Sequence, residues 1–145
     1  MAQDPQGCGA FPRLQKRAVA IGESKLVSWS LAAGRLTVRL DAYLHVSQGQ
    51  PGVDAGTAWE QPVELVLTGV EVQRAPAEAP SWLTGGTVEL GGGPGLALIP
   101  LPLEHAGAAR LRLEGESDRF EAAGLGLTVI ALGEPRFVER FSGAR

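Results

Sequence analysis

Leu36, Val38, Leu40, Ala42, Leu44 and Val46 alternate without a break with Arg35, Thr37, Arg39, Asp41, Tyr43 and His45. A helix would scatter the apolar six around its circumference, whereas a pleated strand carries them all on one face. The segment is therefore read as a long, half-buried strand with Tyr43 and His45 on its outward side. The same period begins upstream, where Val27, Trp29 and Leu31 alternate with Ser28 and Ser30. A turn at Ala32-Ala33-Gly34 joins the two runs into a hairpin.

Downstream, Pro62 opens a strand with Val63, Leu65 and Leu67 on one face. At Gly69 the phase flips to Val70 and Val72, the mark of a bulge or a tight bend. Leu83 to Leu90 leads through Gly91-Gly92-Gly93-Pro94-Gly95 into a return over Leu96, Leu98 and Leu101. Pro100 and Pro102 lack ladder donors, which places that return at an edge or cuts it short. Leu111 and Leu113, a polar turn from Gly115 to Arg119, and a strand from Phe120 to Leu132 follow. In that strand Leu125, Leu127 and Val129 are expected to share a face, and Phe137 to Phe141 forms a last short element after Glu134-Pro135. The stretch from Ala106 to Ala109 permits helix but contains Gly107 and is too short to hold one. The pattern predicts an all-β fold, an antiparallel sandwich or partly open barrel of about seven to nine strands.

Punctuation sets the organisation. Residues 1–22 contain Pro5, Gly7, Gly9 and Pro12 without a sustained period, and are expected as a loosely ordered arm on which Phe11 and Leu14 can dock. Residues 23–141 form a single β domain, and residues 142–145 a frayed end. Ser47 to Gln61 and Arg74 to Ser81 read as long loops, with Trp59 and Trp82 near their strand junctions. At 145 residues the chain suits one core.

Composition narrows the classes. Hydrophobic residues make up 44% and charged residues 20%, outside the regime of disorder. The net charge is -3, and the 13 lysines and arginines form no cluster, so no nucleic-acid partner is expected. The longest uncharged stretch, Leu90 to Leu103, is interrupted by glycines and prolines and cannot span a bilayer as a helix. Arg13, Lys16 and Arg17 are followed only by the short apolar run Ala18 to Ile21, too brief for a signal peptide. No membrane partner is expected. Cys8 is the single cysteine, which leaves no intrachain disulfide and no zinc or redox pair. A cytoplasmic location is the expectation.

Candidate chemistry is sparse. His45 sits outward beside Asp41 and Tyr43, and His105 follows Glu104 in an expected loop. A metal site from His45, Asp41 and His105 would require distant segments to meet, and zinc wants three or four ligands. No cofactor and no metal is expected. The Gly91 to Gly95 run lacks the lysine and hydroxyl residue of a phosphate loop, and Gly7-Cys8-Gly9 lacks the strand and helix of a nucleophile elbow. Ser24, Ser28, Ser30 and Ser81 stand in no motif, so no catalytic residue is assigned. Trp29 is expected in the core. Trp59 and Trp82 either plug the ends of the fold or sit in a contact surface.

The order of Lys25-Leu26-Val27-Ser28-Trp29, Arg35-Leu36-Thr37-Val38-Arg39-Leu40-Asp41, Leu67-Thr68-Gly69-Val70 and Phe120-Glu121-Ala122-Ala123-Gly124-Leu125 resembles that of small bacterial all-β proteins of unassigned function. Some of these are described as immunity-type proteins that bind and neutralise a toxin. The resemblance runs from Glu23 to Phe141 and implies a compact β fold with a protein-binding role, with no functional residue to carry over. The expected function is thus a non-catalytic interaction module whose partner is another protein, with Trp59, Trp82, Tyr43 and His45 as contact residues. Two alternatives stand beside it: a small barrel holding an apolar ligand, and a hydrolase in which Asp41, Asp54, Glu60 or Glu64 converge in a cleft.

Overall fold

The computed structural model describes residues 16–75, 81–116 and 118–142. Nine strands and no helix occur among them: β1 (Lys16–Ala32), β2 (Arg35–Ser47), β3 (Gly56–Thr68), β4 (Glu71–Arg74), β5 (Ser81–Leu90), β6 (Leu98–Leu101), β7 (Leu103–Gly115), β8 (Arg119–Ala131) and β9 (Arg136–Phe141). All pairings are antiparallel, and the order β8-β7-β5-β1-β2-β3 returns to β8 through pairing of Val63 with Ala131 and Thr68 with Gly126. The expected all-β fold is therefore a closed six-stranded barrel. Three further strands attach to it: β4 to β8, β6 to β1 and β9 to β3.

β2 is the most regular element, for the reason its sequence gives. Leu36, Val38, Leu40, Ala42, Leu44 and Val46 all point inward and are buried. Val63, Leu65 and Leu67 join them from β3, and Leu111, Leu113, Leu127 and Val129 from the far wall. A six-stranded barrel is narrower than the eight-stranded barrels whose interiors just accommodate side chains or one small ligand. Here packed aliphatic residues and Phe120 occupy the interior. Trp29 packs edge-on against Phe120 with ring centroids 5.3 Å apart, and Trp59 meets Phe137 in the same geometry at 5.3 Å. The register places Trp29 beside Val38 and Trp59 beside Leu44, so the two indoles lie on the inward side at well-separated levels of the barrel wall.

Several local expectations are corrected. The arm ends earlier than residue 22, because residues 16–22 belong to β1, where Val19 and Ile21 are fully buried. The short apolar run that failed as a signal peptide is core. Cys8, Phe11 and Leu14 lie outside the described residues, as does the centre of the expected loop from Arg74 to Ser81. The loop expected over Ser47 to Gln61 is shorter, since β3 starts at Gly56 and pairs with β2 from there. Trp59 is therefore a strand residue. His105 belongs to β7, which runs through Ala106 to Ala109 by way of a register shift at Gly107, φ +127°. Leu26, not Val27, enters the core, because β1 slips register between Leu26 and Ser28 and turns Val27 outward; Leu31 stays in register with inward-facing Leu36 but is half exposed near the end of the strand. Leu125 also points outward: inward positions in β8 change from Phe120, Ala122 and Gly124 to Leu127 and Val129. The return strand β6 pairs with β1 instead of β5.

β1 is the pivot of the molecule. Its first part pairs with β6 and its later part, at Lys25 and Leu26, with β5. Between them residues 21–24 stand opposite Ala42 alone in β2. Backbone groups in such an excursion lose their ladder partners. Ser24 supplies replacements: its buried hydroxyl donates to the Ala20 carbonyl at 2.8 Å and accepts from the Tyr43 N–H at 3.0 Å. Ser24→Ala should destabilise the protein by about 1–3 kcal/mol, the cost of stranding buried polar groups. A denaturant midpoint equal to that of the parent chain would refute this role.

Candidate outer-face contact site

The outward side of the β5–β1–β2–β3–β9 sheet gathers most of the residues singled out by sequence. Because directly paired residues share a face, the register can be read as rows. One row runs Trp82, Lys25, Asp41, Pro62, and the next runs Tyr43, Glu60, Arg136. A third runs Ala18, His45, Ala58, Glu139. Trp82, Tyr43 and His45 therefore occupy one continuous face. Trp59 does not, since it lies in register with inward-facing Leu44 and is partly buried against the core.

Trp82 is 64% exposed, with the Lys25 ammonium 5.5 Å from its ring centroid. An exposed indole beside a cation combines apolar area with a cation–π contact. Toward β9 the face becomes an aromatic cluster, with Tyr43 to His45 at 5.4 Å and His45 to Phe141 at 5.3 Å between ring centroids. The Tyr43 hydroxyl donates to Glu139, and His45 Nε2 lies 3.4 Å from the Glu23 carboxylate. Burial, together with the Glu139 hydrogen bond and the charges of Glu139 and Glu23, holds the Tyr43 phenol above its usual range. It stays protonated and acts as a donor, not as a base. His45 Nδ1 is buried and has no hydrogen-bond partner among the described residues. Sequence alternation shows that Tyr43 and His45 face out, but the partners that order them come from β1 and β9, far away in the chain.

The carboxylates considered for hydrolysis are dispersed. Glu64 pairs with Arg39 at 3.3 Å, and Glu60 pairs with Arg136. Asp54 accepts from the Gln50 N–H at 2.6 Å and closes the loop before β3. Glu60 and Glu64 are separated along one strand by roughly 13 Å, too far to share a reacting atom. Asp41 and His45 lie on β2, whereas His105 lies on β7 with its Nε2 3.1 Å from the Ala108 carbonyl oxygen. Among the described residues no group of three or more His, Cys, Asp or Glu side chains could hold a metal ion.

A groove of about 490 Å³ lies outside the barrel along β6. Leu98, Pro100, Leu101 and Pro51 give it an apolar floor, and Lys16 and Arg17 stand at its rim. Burial lowers the Arg17 guanidinium from its ordinary value. Comparison with known proteins adds no relative: no family model, no curated protein and no solved structure matches the chain.

Proposed function

We propose that this protein is a non-catalytic binding module that engages another protein through the outer face from Trp82 to Tyr43 and His45. The supporting observation is the 64% exposure of Trp82 on an outer sheet face that continues into ordered aromatic side chains. Large aromatics are enriched at the centres of protein contacts because they supply much apolar area at little entropic cost. The dispersed carboxylates argue against the hydrolase reading, and the filled six-stranded interior argues against a ligand inside the barrel. An immunity-like role, in which the bound partner is a toxin, fits a compact scaffold of this kind.

The test is affinity capture from the native cell with the partner identified by mass spectrometry. Trp82→Ala should lose the partner while changing stability by no more than about 0.5 kcal/mol, as expected for an exposed site. Leu125→Ala removes an equally exposed apolar side chain from β8, across the barrel from β1, and should retain it. Equal capture by both variants, or no partner at all, would refute the proposal. A second reading places an apolar ligand carrying a negative group in the groove beside β6, whose volume falls in the range of small-molecule sites. A small molecule released from the purified, denatured protein would favour it.

A further inference from the structure

Among the described residues, each of the three strands attached to the barrel pairs on one side only. Edges left open are templates for pairing with another chain unless they are short, bulged or interrupted by proline. β6 has four residues including Pro100, and β4 has four residues with a register shift between Val72 and Arg74. β9 has six residues and no proline, and among the described strands only β3 pairs with it. Phe137 and Val138 on it are 48% and 40% exposed. Proline does not interrupt this edge and it is longer than β4 or β6, although it carries a register shift at Val138 and the charges of Arg136, Glu139 and Arg140.

We propose that β9 pairs antiparallel with β9 of a second copy of this chain, about a two-fold axis between Val138 and Glu139. The argument rests on side and charge. Arg136, Glu139 and Phe141 lie on the outer side, where they contact Glu60, Tyr43 and His45. Phe137 and Arg140 lie on the inner side, opposite Trp59 and Thr57 in register. Val138 is skipped in the pairing with β3. That skip shifts the alternation by one, so self-pairing sets Arg136 opposite Phe141 of the other copy, both outer, and Phe137 opposite its Arg140, both inner. Without it the same register would oppose inner to outer residues. No like charges face each other directly, and each Glu139 lies diagonal to Arg136 of the other copy, within reach for long side chains. Each arginine thus faces an aromatic ring across the pair, a cation–π arrangement repeated by the symmetry.

This inference goes beyond the binding-module reading and does not rest on it. Pairing of one short strand falls at the small end of interface size, so the dissociation constant should be on the order of 10 μM. Sedimentation velocity of the full chain, at concentrations bracketing that value, should show a monomer passing to a dimer. Arg140→Glu should weaken the dimer about tenfold by removing two cation–π contacts. Val138→Pro should abolish it, since proline blocks an edge while the skipped residue makes no pairing with β3. Leu125→Glu should leave it unchanged, and matching thermal melts will show that each variant is folded. A monomer at every concentration, a dimer indifferent to both β9 changes, or a β9 edge taken up only by an unrelated protein would overturn the proposal. Trp82→Ala should leave sedimentation unchanged, which separates failure here from failure of the outer-face reading.

Discussion

Val38→Asp should leave the chain unfolded at room temperature, whereas Arg39→Ala, one position away, should cost about 0.5 kcal/mol or less. Val38 has no exposed surface and lies in register between Trp29 and Leu65 in the barrel wall. A carboxylate there would have no cationic partner among the aliphatic side chains that line the interior. Burying it, or protonating it in order to bury it, costs several kcal/mol, against a total stability of about 5–15 kcal/mol. Arg39 points outward, is 53% exposed and makes one surface ion pair with Glu64. Chemical denaturation of the two variants provides the measurement. Similar midpoints would mean that β2 does not face the core as described.

Gly86→Ala should be nearly as damaging, although it adds a single methyl group. Gly86 has φ +151°, a conformation that side-chain-bearing residues rarely adopt. A Cβ there would lie 2.5 Å from the Arg112 carbonyl oxygen and 2.7 Å from Ile21 Cγ2. The first is backbone of the paired strand β7, and the second belongs to the excursion of β1 held by Ser24. Neither can retreat without opening the barrel wall. Backbone strain and overpacking together should cost about 3–5 kcal/mol. Gly34→Ala is the control, because Gly34 has φ +74° with nothing within 4 Å of the added carbon. It carries the conformational penalty alone, about 1–2 kcal/mol. Equal losses for the two substitutions would show that the close approach at Gly86 is not rigid.

These contrasts mark how far the sequence could be read. The inward face of β2 was legible residue by residue because its alternation is unbroken and one side of it is fully buried. β1 and β8 were legible as strands but not as faces. Each changes which residues point inward partway along, at Ser24 and Leu26 in one and at Leu125 in the other. Such phase changes are set by partners distant in sequence: β1 exchanges β6 for β5, and β8 must accommodate Gly69 beside Leu125. The same limit applies to the outer face. The outward positions of Tyr43 and His45 follow from alternation, but their contacts with Glu139 and Phe141 arise from β9 pairing beyond β3. Trp59 reads as a loop residue because Gly49, Pro51, Gly52, Gly56 and polar residues precede it, whereas thirteen consecutive residues of β3 pair with β2 without a bulge.

The pairing of β3 with β8 also dictates an order of events. β1, β2 and β3 follow one another in the chain and pair as successive hairpins, so they can form as soon as they leave the ribosome. The partner that closes them, residues 126–131, is made roughly sixty residues later. Until then the three strands expose the face that carries Leu36, Leu40, Leu65 and Leu67. Contacts between segments so far apart form late and slowly, since the intervening chain must lose its freedom first. The nascent protein should therefore depend on chaperones during this interval, and slowing translation between β3 and β8 should lower its soluble yield more than slowing it after β8.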